Sequence, residues 1–213
     1  MRILLSTLMA LGILMPPVMA RPVSYPSGVT VSTTNDSQAN VLLTHYSPTA
    51  RYSIGHRLEY LRDDETVLNA FQANVLLKRW NGSDSQANLY LKNGIGIARS
   101  NQGIFDGELE PAAFTGFAAD WEDRRYFVSY ENRGLHTGDL GSSFAQKARV
   151  GVAPYIGDYG DLHTWLMLEV QHTPERENPV RIAPLVRLFK GVGLVEAGID
   201  NQGDALFNFI YRF

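Results

Sequence analysis

The chain has 213 residues, no cysteine and a formal net charge of −3. The absence of cysteine excludes disulfide bonds and thiolate metal sites, and the slightly acidic balance gives no reason to expect a nucleic-acid partner. The length suits one domain of ordinary size.

The N-terminus has the pattern of a secretory signal peptide. A basic Arg2 precedes an almost unbroken apolar run that Pro16-Pro17 ends, and Ala20 is the small residue expected before a cleavage site. The run is shorter than the roughly 20 apolar residues that a spanning helix needs. We therefore expect residues 1–20 to be removed after Ala20, and residues 21–213 to form the folded domain.

Segments rich in β-branched and aromatic residues recur along the rest of the chain, with turn-forming residues between them. In chain order they are Gly28–Asn35, Ala39–Tyr46, Arg51–Leu61, Thr66–Trp80, Gln86–Ala98, Ala112–Trp121, Arg125–Gly134, Phe144–Ile156, Leu162–His172, Val180–Lys190, Leu194–Asp200 and Ala205–Phe213. No segment shows a helical apolar period. The pattern predicts a single all-β domain of about twelve strands, with ten or eight as alternatives.

Apolar and polar residues alternate within these segments, as in Arg51–Leu61 and Leu162–His172. A period of two is typical both of a strand in a transmembrane barrel and of a strand in a soluble sandwich. Every second connection is expected to be a short turn, as at Gly157–Asp161, and the others longer loops. The same strand assignment places Trp80, Trp121 and Trp165 at one end of the sheet, where they would lie in a membrane interface.

The last strand distinguishes the two fold classes. Phe207, Phe209, Tyr211 and Phe213 fall at every second position and therefore share one face. A soluble domain rarely ends in an uncovered aromatic stripe, whereas acyl chains cover the lipid-facing side of a barrel strand. A soluble periplasmic β-protein would require the stripe to be accidental, and stays as an alternative.

This stripe resembles the C-terminal signature of Gram-negative outer-membrane β-barrels, whose last strand ends on Phe. The resemblance implies an antiparallel up-and-down transmembrane β-barrel in the cell outer membrane, surrounded by outer-membrane lipid and lipopolysaccharide. It also implies that Phe209, Tyr211 and Phe213 form the signal that the barrel-assembly machinery reads.

Alternation then places a set of charged residues inside the barrel. The predicted lumen-lining residues are Arg57, Glu59, Lys78, Lys92, Glu131, Arg133, Lys147, Arg149, Glu169, Arg187, Glu196 and Arg212. Such charges can line a hydrated pore, or can pair with one another and fill a narrow barrel. Twelve strands lie between the filled eight-stranded barrels and the open sixteen-stranded ones. We predict a small porin-like channel, in which an excess of basic residues would favour anions, or a structural barrel; neither is an enzyme.

One spacing suggests catalysis instead. His45 and Ser47 stand two apart in a predicted strand and so share a face. They are similar to the His-x-Ser pair of outer-membrane phospholipases and lipid A deacylases, which makes a lipid-modifying hydrolase an alternative function. However, Pro48 stands where those motifs carry Asn, and no third group that would orient the base is evident. We expect no metal ion and no cofactor.

Overall fold

The computed structural model of the protein describes residues 21–101, 103–158 and 160–213, so the predicted signal peptide lies outside the described residues. Twelve antiparallel strands form one closed barrel, in which each strand pairs with its neighbours in sequence and β1 pairs with β12. The strands are β1 Gly28–Asn35, β2 Ala39–Thr49, β3 Tyr52–Leu61, β4 Thr66–Asn81, β5 Ser85–Ser100, β6 Leu109–Asp123, β7 Tyr126–His136, β8 Ser142–Val152, β9 His163–His172, β10 Val180–Lys190, β11 Gly193–Ile199 and β12 Ala205–Arg212. The predicted fold class and strand number are confirmed.

The two ends of the barrel differ. Because the number of strands is even, β1 begins and β12 ends at the same end, which we call the terminal end; it carries residues 21–27, Phe213 and the connections 50–51, 82–84, 124–125, 153–162 and 191–192. The opposite end, which we call the loop end, carries 36–38, 62–65, 101–108, 137–141, 173–179 and 200–204. The helical elements in the described ranges include the single turns Gly103–Phe105 and Gly138–Leu140, and no helix there is long and apolar enough to cross a membrane.

The connection between β8 and β9 is longer than predicted. Strand β8 ends at Val152 and β9 begins at His163, whereas the sequence suggested a short turn at Gly157–Asp161. Pro154 explains the early end, because proline has no N–H to donate to a strand ladder. The strict alternation of short turns and long loops is therefore wrong at this position.

The outer surface of the barrel is apolar. Phe71 on β4 and Ile95 on β5 lie side by side and are 74% and 70% exposed. Along β3, Ile54 and Leu58 also point outward, while Glu59 is buried on the inside. A band of this kind is unfavourable in water and is the surface that acyl chains cover in a transmembrane barrel.

Trp165 lies at the predicted end of its strand but on the inner face. Trp80 and Trp121 are exposed on the outer surface, but Trp165 is buried inside the barrel, where its ring packs edge-to-face against Phe127 at 6.3 Å. In β9 the neighbouring Leu166 takes the outward position. Since alternate residues point to opposite faces, Trp165 must then point inward, and its prediction as an interfacial residue is wrong.

Lys78 is also on the other face from the one predicted. Strand β4 contains a bulge, because Leu76 pairs with Tyr90 and Lys78 pairs with the next residue, Leu89. The extra residue, Leu77, interrupts the alternation and exchanges inside and outside for the rest of the strand. Lys78 is consequently exposed on the outer surface.

Arg79 takes the inward position that was assigned to Lys78. Its Nε donates a hydrogen bond of 2.7 Å to Oδ1 of the buried Asn88 on β5, and the Asn88 amide in turn donates to Asp120 at 2.7 Å. The inner wall near the terminal end of β4 therefore carries a basic residue, but one position further along the chain than predicted.

Candidate functional site: the lumen of the barrel

A cavity of about 650 Å³ occupies the inside of the barrel. At the loop end it reaches Asp64, Glu175 and Glu177, which are exposed, and towards the terminal end it reaches Arg21 and Pro22. The wall between these limits carries most of the predicted lumen residues. Those that line the cavity are Arg57, Glu59, Lys92, Glu131, Arg133, Lys147, Arg149, Arg187 and Glu196.

Glu59 is the centre of the first charged cluster. Its carboxylate, which is 2% exposed, accepts hydrogen bonds from Arg133 Nη1 at 2.6 Å, Arg133 Nη2 at 2.8 Å and Arg57 Nε at 2.7 Å. Both guanidinium groups also lie 5.7 Å from the centre of the Phe114 ring. A buried carboxylate needs such partners, because an unpaired charge in low dielectric is strongly unfavourable.

The Phe114 ring occupies space that a glycine leaves free. Gly94 lies opposite it in the β5–β6 pair, and a Cβ at Gly94 would be 2.2 Å from the Phe114 ring. No other residue leaves this space. The small residue therefore lets the ring lie beside the wall, where both Arg57 and Arg133 contact it.

Glu169 and Glu196 are the centre of a second cluster, on the opposite side of the barrel. Arg149 forms ion pairs with both carboxylates, and its Nη1 lies 3.2 Å from each Glu196 oxygen. Arg187 Nε donates to Glu196 at 2.6 Å, and the Asn208 amide donates to the other oxygen at 2.7 Å. These groups come from strands β8 to β12, so the cluster joins five neighbouring strands at one level.

Lys147 connects this second cluster to the loop end. Its ammonium lies 3.6 Å from Asp36 and 3.6 Å from Glu169. Asp36 is in the β1–β2 connection and also accepts hydrogen bonds of 2.9 Å from the backbone N–H groups of Gln38 and Ala39. Burial raises the pKa of the Asp36 carboxyl, but Lys147 and these N–H donors outweigh it, so the pKa lies below its usual value.

The remaining predicted lumen residues divide into three cases. Lys92 and Glu131 form an ion pair across β5 and β7. Lys78 is outside the barrel, as described above. Arg212 is 5% exposed and lies inside the barrel, yet it belongs to no ion pair among the described residues.

Residues 21–24 enter the lumen at the terminal end, which the sequence did not suggest. The Pro22 carbonyl accepts hydrogen bonds from Ser53 Oγ at 2.7 Å and from the Asn74 amide at 3.3 Å, and Arg21 forms an ion pair with Glu122 on β6. Val23, beside Pro22, is 3% exposed. This N-terminal segment, Arg21–Ser24, covers the cavity on its terminal side.

The chain then leaves the lumen through a tight turn. Ser24 N donates to Ser47 Oγ at 2.9 Å, Gly28 N donates to the Tyr25 carbonyl at 3.0 Å, and Ser27 adopts a φ of 65°. A positive φ is uncommon for a residue with a side chain. It reverses the chain direction here, from the N-terminal segment into β1.

His45 and Ser47 share the inner face of β2, as their spacing predicts. However, Ser47 Oγ accepts its hydrogen bond from Ser24 N, and neither ring nitrogen of His45 has a hydrogen-bond partner. A nucleophilic serine needs a base within hydrogen-bond reach, and this arrangement does not provide one. In the described part of the chain, no group of three His, Asp or Glu side chains is placed to hold a metal ion.

The fold and the lumen together define the class of protein. A closed antiparallel barrel leaves no strand edge unpaired, its outside is apolar, and its inside holds charged clusters beside apolar ones. Only barrels and helices can cross a bilayer with their backbone groups paired. The protein therefore has the fold of an outer-membrane β-barrel.

A porin of known structure has a similar fold. The chain is similar to "KdgM porin in complex with disordered oligogalacturonate", with a TM-score of 0.50 and 8% identity over 87% of this chain and 98% of that chain. A structure of the KdgM porin alone gives the same values. The β domain of the Bordetella autotransporter Brka aligns with a TM-score of 0.47 and 9% identity, over 87% and 97% of the two chains. No family model and no curated protein sequence matches the chain.

Proposed function

We propose that the protein is a small porin-like channel in the outer membrane of a Gram-negative bacterium, exported with a signal peptide that is cleaved after Ala20. The observation that carries the proposal is the charged cavity, which runs from exposed residues of the loop end to the N-terminal segment. A water-filled path with charged walls is what a porin needs.

The charge of the buried part of the inner wall favours anions. Most basic groups in the lumen are matched by a carboxylate, but Arg79 and Arg212 belong to no ion pair among the described residues. Ten acidic and eight basic side chains line the cavity as a whole, because Asp63, Asp64, Glu175 and Glu177 lie at the loop end. The excess is positive in the buried part of the wall, below these residues. Solutes would enter at the loop end and meet the N-terminal segment last, so conduction requires that this segment moves aside.

A structural barrel with a closed lumen is the second candidate. Two observations favour it: the ion pair of Glu59 with Arg133 crosses the lumen, and Pro22 is hydrogen-bonded to the wall. The hydrolase has less support, because Ser47 lacks a base. A soluble periplasmic protein has less support too, because the outward band of Phe71, Ile95 and their neighbours would face water.

The proposed location also assigns a role to the aromatic stripe of the last strand. Phe209, Tyr211 and Phe213 point outward, and their rings follow one another at centroid distances of 6.4 and 4.8 Å. We infer that this stripe contacts outer-membrane lipid in the finished barrel and is the segment that the barrel-assembly machinery reads. The loop end would then lie among lipopolysaccharide.

Conductance in planar bilayers tests the channel. Wild-type protein should give discrete current steps, and in a salt gradient the reversal potential should indicate preference for anions. Lys147→Gln removes a basic group from the cavity wall and should shift this potential towards cations. Lys78→Gln makes the same change on the outer surface and should leave it unaltered. A membrane that contains folded protein but shows no steps at any voltage would establish the structural barrel.

A further inference from the structure

A row of polar side chains with unpartnered atoms lies inside the barrel, across the seam where the first strand meets the last. Thr30 on β1 pairs with Arg212 on β12 and, on its other side, with His45 on β2. Directly opposed residues in an antiparallel pair have Cβ atoms about 4.5–5.5 Å apart. The three side chains therefore stand next to one another on the same inner surface.

All three residues have polar atoms without a partner. Thr30 is 2% exposed, His45 4% and Arg212 5%, and the Thr30 hydroxyl, both His45 ring nitrogens and Arg212 Nε make no hydrogen bond. Arg212 Nη2 donates only to the Arg21 carbonyl, at 3.3 Å. Buried polar groups in proteins are almost always hydrogen-bonded, so three adjacent exceptions indicate a ligand.

The charges of the neighbouring side chains indicate the sign of the ligand's charge. The charged groups that act on the His45 ring are Arg212 and Lys92, which are both cationic. Arg212 itself belongs to no ion pair among the described residues, and a buried guanidinium without a counter-charge is unfavourable. An anion would compensate this charge, whereas a cation would add to it.

The hydrogen-bond donors of the row suit an oxyanion. Guanidinium groups bind carboxylate and phosphate oxygens with pairs of hydrogen bonds, an imidazole ring has an N–H to donate in either charge state, and a hydroxyl can donate one more. Gly55 lies beside His45 on β3, and a Cβ there would be 2.2 Å from the Thr44 carbonyl oxygen and 2.6 Å from the His45 Cβ. This glycine lets β3 lie close to β2 at the level of the row.

The site is reached from the cavity. Thr30 and His45 line the cavity, and the N-terminal segment covers the row on the terminal side through Arg21 and Ser24. A solute that enters from the loop end would therefore meet this row at the base of the lumen.

We propose that Thr30, His45 and Arg212 form a binding site for an oxyanion, either phosphate or the carboxylate group of a small organic acid. The inference builds on the proposed channel by naming the class of solute that its lumen holds. Binding at equilibrium does not require conduction, so the two proposals can fail separately.

The test is a titration of the full folded protein in detergent micelles at constant pH and ionic strength, followed by the imidazole NMR signals. The chain has five histidines, and the His45 signal is the one missing from His45→Gln. Inorganic phosphate and acetate are titrated separately, with chloride as the reference anion. The His45 signal should shift saturably with at least one of the two oxyanions and not with chloride; which of them saturates identifies the ligand.

Thr30→Val removes the hydroxyl while keeping the shape of the side chain, and should weaken binding at least about 5-fold. Thr34→Val makes the same change on the same strand, at another residue of the cavity wall, and should leave binding unchanged. Arg212→Gln should abolish saturation; if that variant does not assemble, Thr30→Val still tests the site. A His45 signal that no oxyanion moves, or equal effects of Thr30→Val and Thr34→Val, would overturn the proposal even in a protein that conducts.

Discussion

Glu59 on β3 and Arg133 on β7 bind each other across the lumen, through hydrogen bonds of 2.6 and 2.8 Å to the two carboxylate oxygens. Four strand positions separate them around the barrel, so this pair crosses the interior instead of following the wall. Arg57 binds the same carboxylate. One buried acid thus holds two basic groups, and its removal would leave both without their partner.

Glu59→Gln should therefore lower stability and increase anion preference together. Removing one member of a buried ion pair costs about 3–5 kcal/mol, and the two arginines left behind make the lumen more positive. Urea unfolding, followed by the fluorescence of the three tryptophans, measures the first effect, and the reversal potential measures the second.

Glu108→Gln is the control for this substitution, because Glu108 is exposed in the loop before β6. It should change neither quantity. If Glu59→Gln were as stable as the wild type, the pairing of Glu59 with Arg57 and Arg133 would not hold the interior together.

A disulfide should lock the N-terminal segment in the lumen. Ser24 N lies 2.9 Å from Ser47 Oγ, and the chain has no cysteine of its own, so Ser24→Cys with Ser47→Cys introduces one unique pair. The oxidised double variant should conduct several-fold less than the same protein after reduction, because the segment can no longer move aside. Single-channel recording before and after addition of a reductant measures the difference.

The single variant Ser24→Cys should show no response to the reductant. An oxidised double variant with a verified disulfide that conducts as well as its reduced form would show that ions do not pass the segment.

Asp36 should make stability depend on acid pH. Its pKa is lowered in the folded protein, because Lys147 and the N–H groups of Gln38 and Ala39 outweigh the effect of burial. Its contribution is therefore complete above the unfolded pKa of about 4 and is lost as the pH falls through the lower folded value. Asp36→Asn should be less stable than the wild type by about 1–3 kcal/mol near neutral pH, and the difference should shrink below about pH 4.

Urea unfolding of both proteins at neutral and at acid pH measures this convergence. Asp106→Asn, an exposed loop substitution, should follow the wild type at every pH. A gap between the wild type and Asp36→Asn that stays the same in acid would show that the Asp36 charge is not stabilised in the fold.

Deletion of Phe213 should reduce assembly sharply while export continues. Phe213 N donates to the Val29 carbonyl at 2.9 Å, and its ring packs against Tyr211, so the deletion removes a seam hydrogen bond as well as the end of the aromatic stripe. Wild-type protein should be recovered in the outer-membrane fraction and should migrate faster on a gel before boiling than after it. Phe213→Tyr, which keeps an aromatic ring, should behave like the wild type; normal levels of the truncated protein would exclude this role.

The strands were predictable because the period-two pattern of each strand lies within its own residues. In β3 and β10 outward and inward positions alternate without interruption, and the predicted inward residues Glu59 and Arg187 are buried. Lys78 was misplaced because a bulge adds one residue to β4. The sequence pattern alone does not reveal where such a residue is added. Trp165 was misplaced because its residue type suits an interface as well as an interior.

The lumen contacts were less predictable than the strands. The sequence places Glu59 and Arg133 on the inner face, but not against each other, since that depends on the curvature of the whole sheet. The position of Arg21–Ser24 was not suggested at all, because a short polar segment before the first strand has no period. The row of Thr30, His45 and Arg212 requires the pairing of β1 with β12, which only closure of the barrel provides.

That pairing also sets an order of events during folding. Thr30 and Arg212 lie near the two limits of the described chain, and contacts between residues so distant in sequence form late. The N-terminal segment binds groups from β2, β3, β4, β6 and β12, so it reaches its place only when those strands already surround it. A barrel whose seam is still unpaired thus presents residues 21–24 to proteases, and resistance of this segment to cleavage distinguishes the closed barrel from its last intermediate.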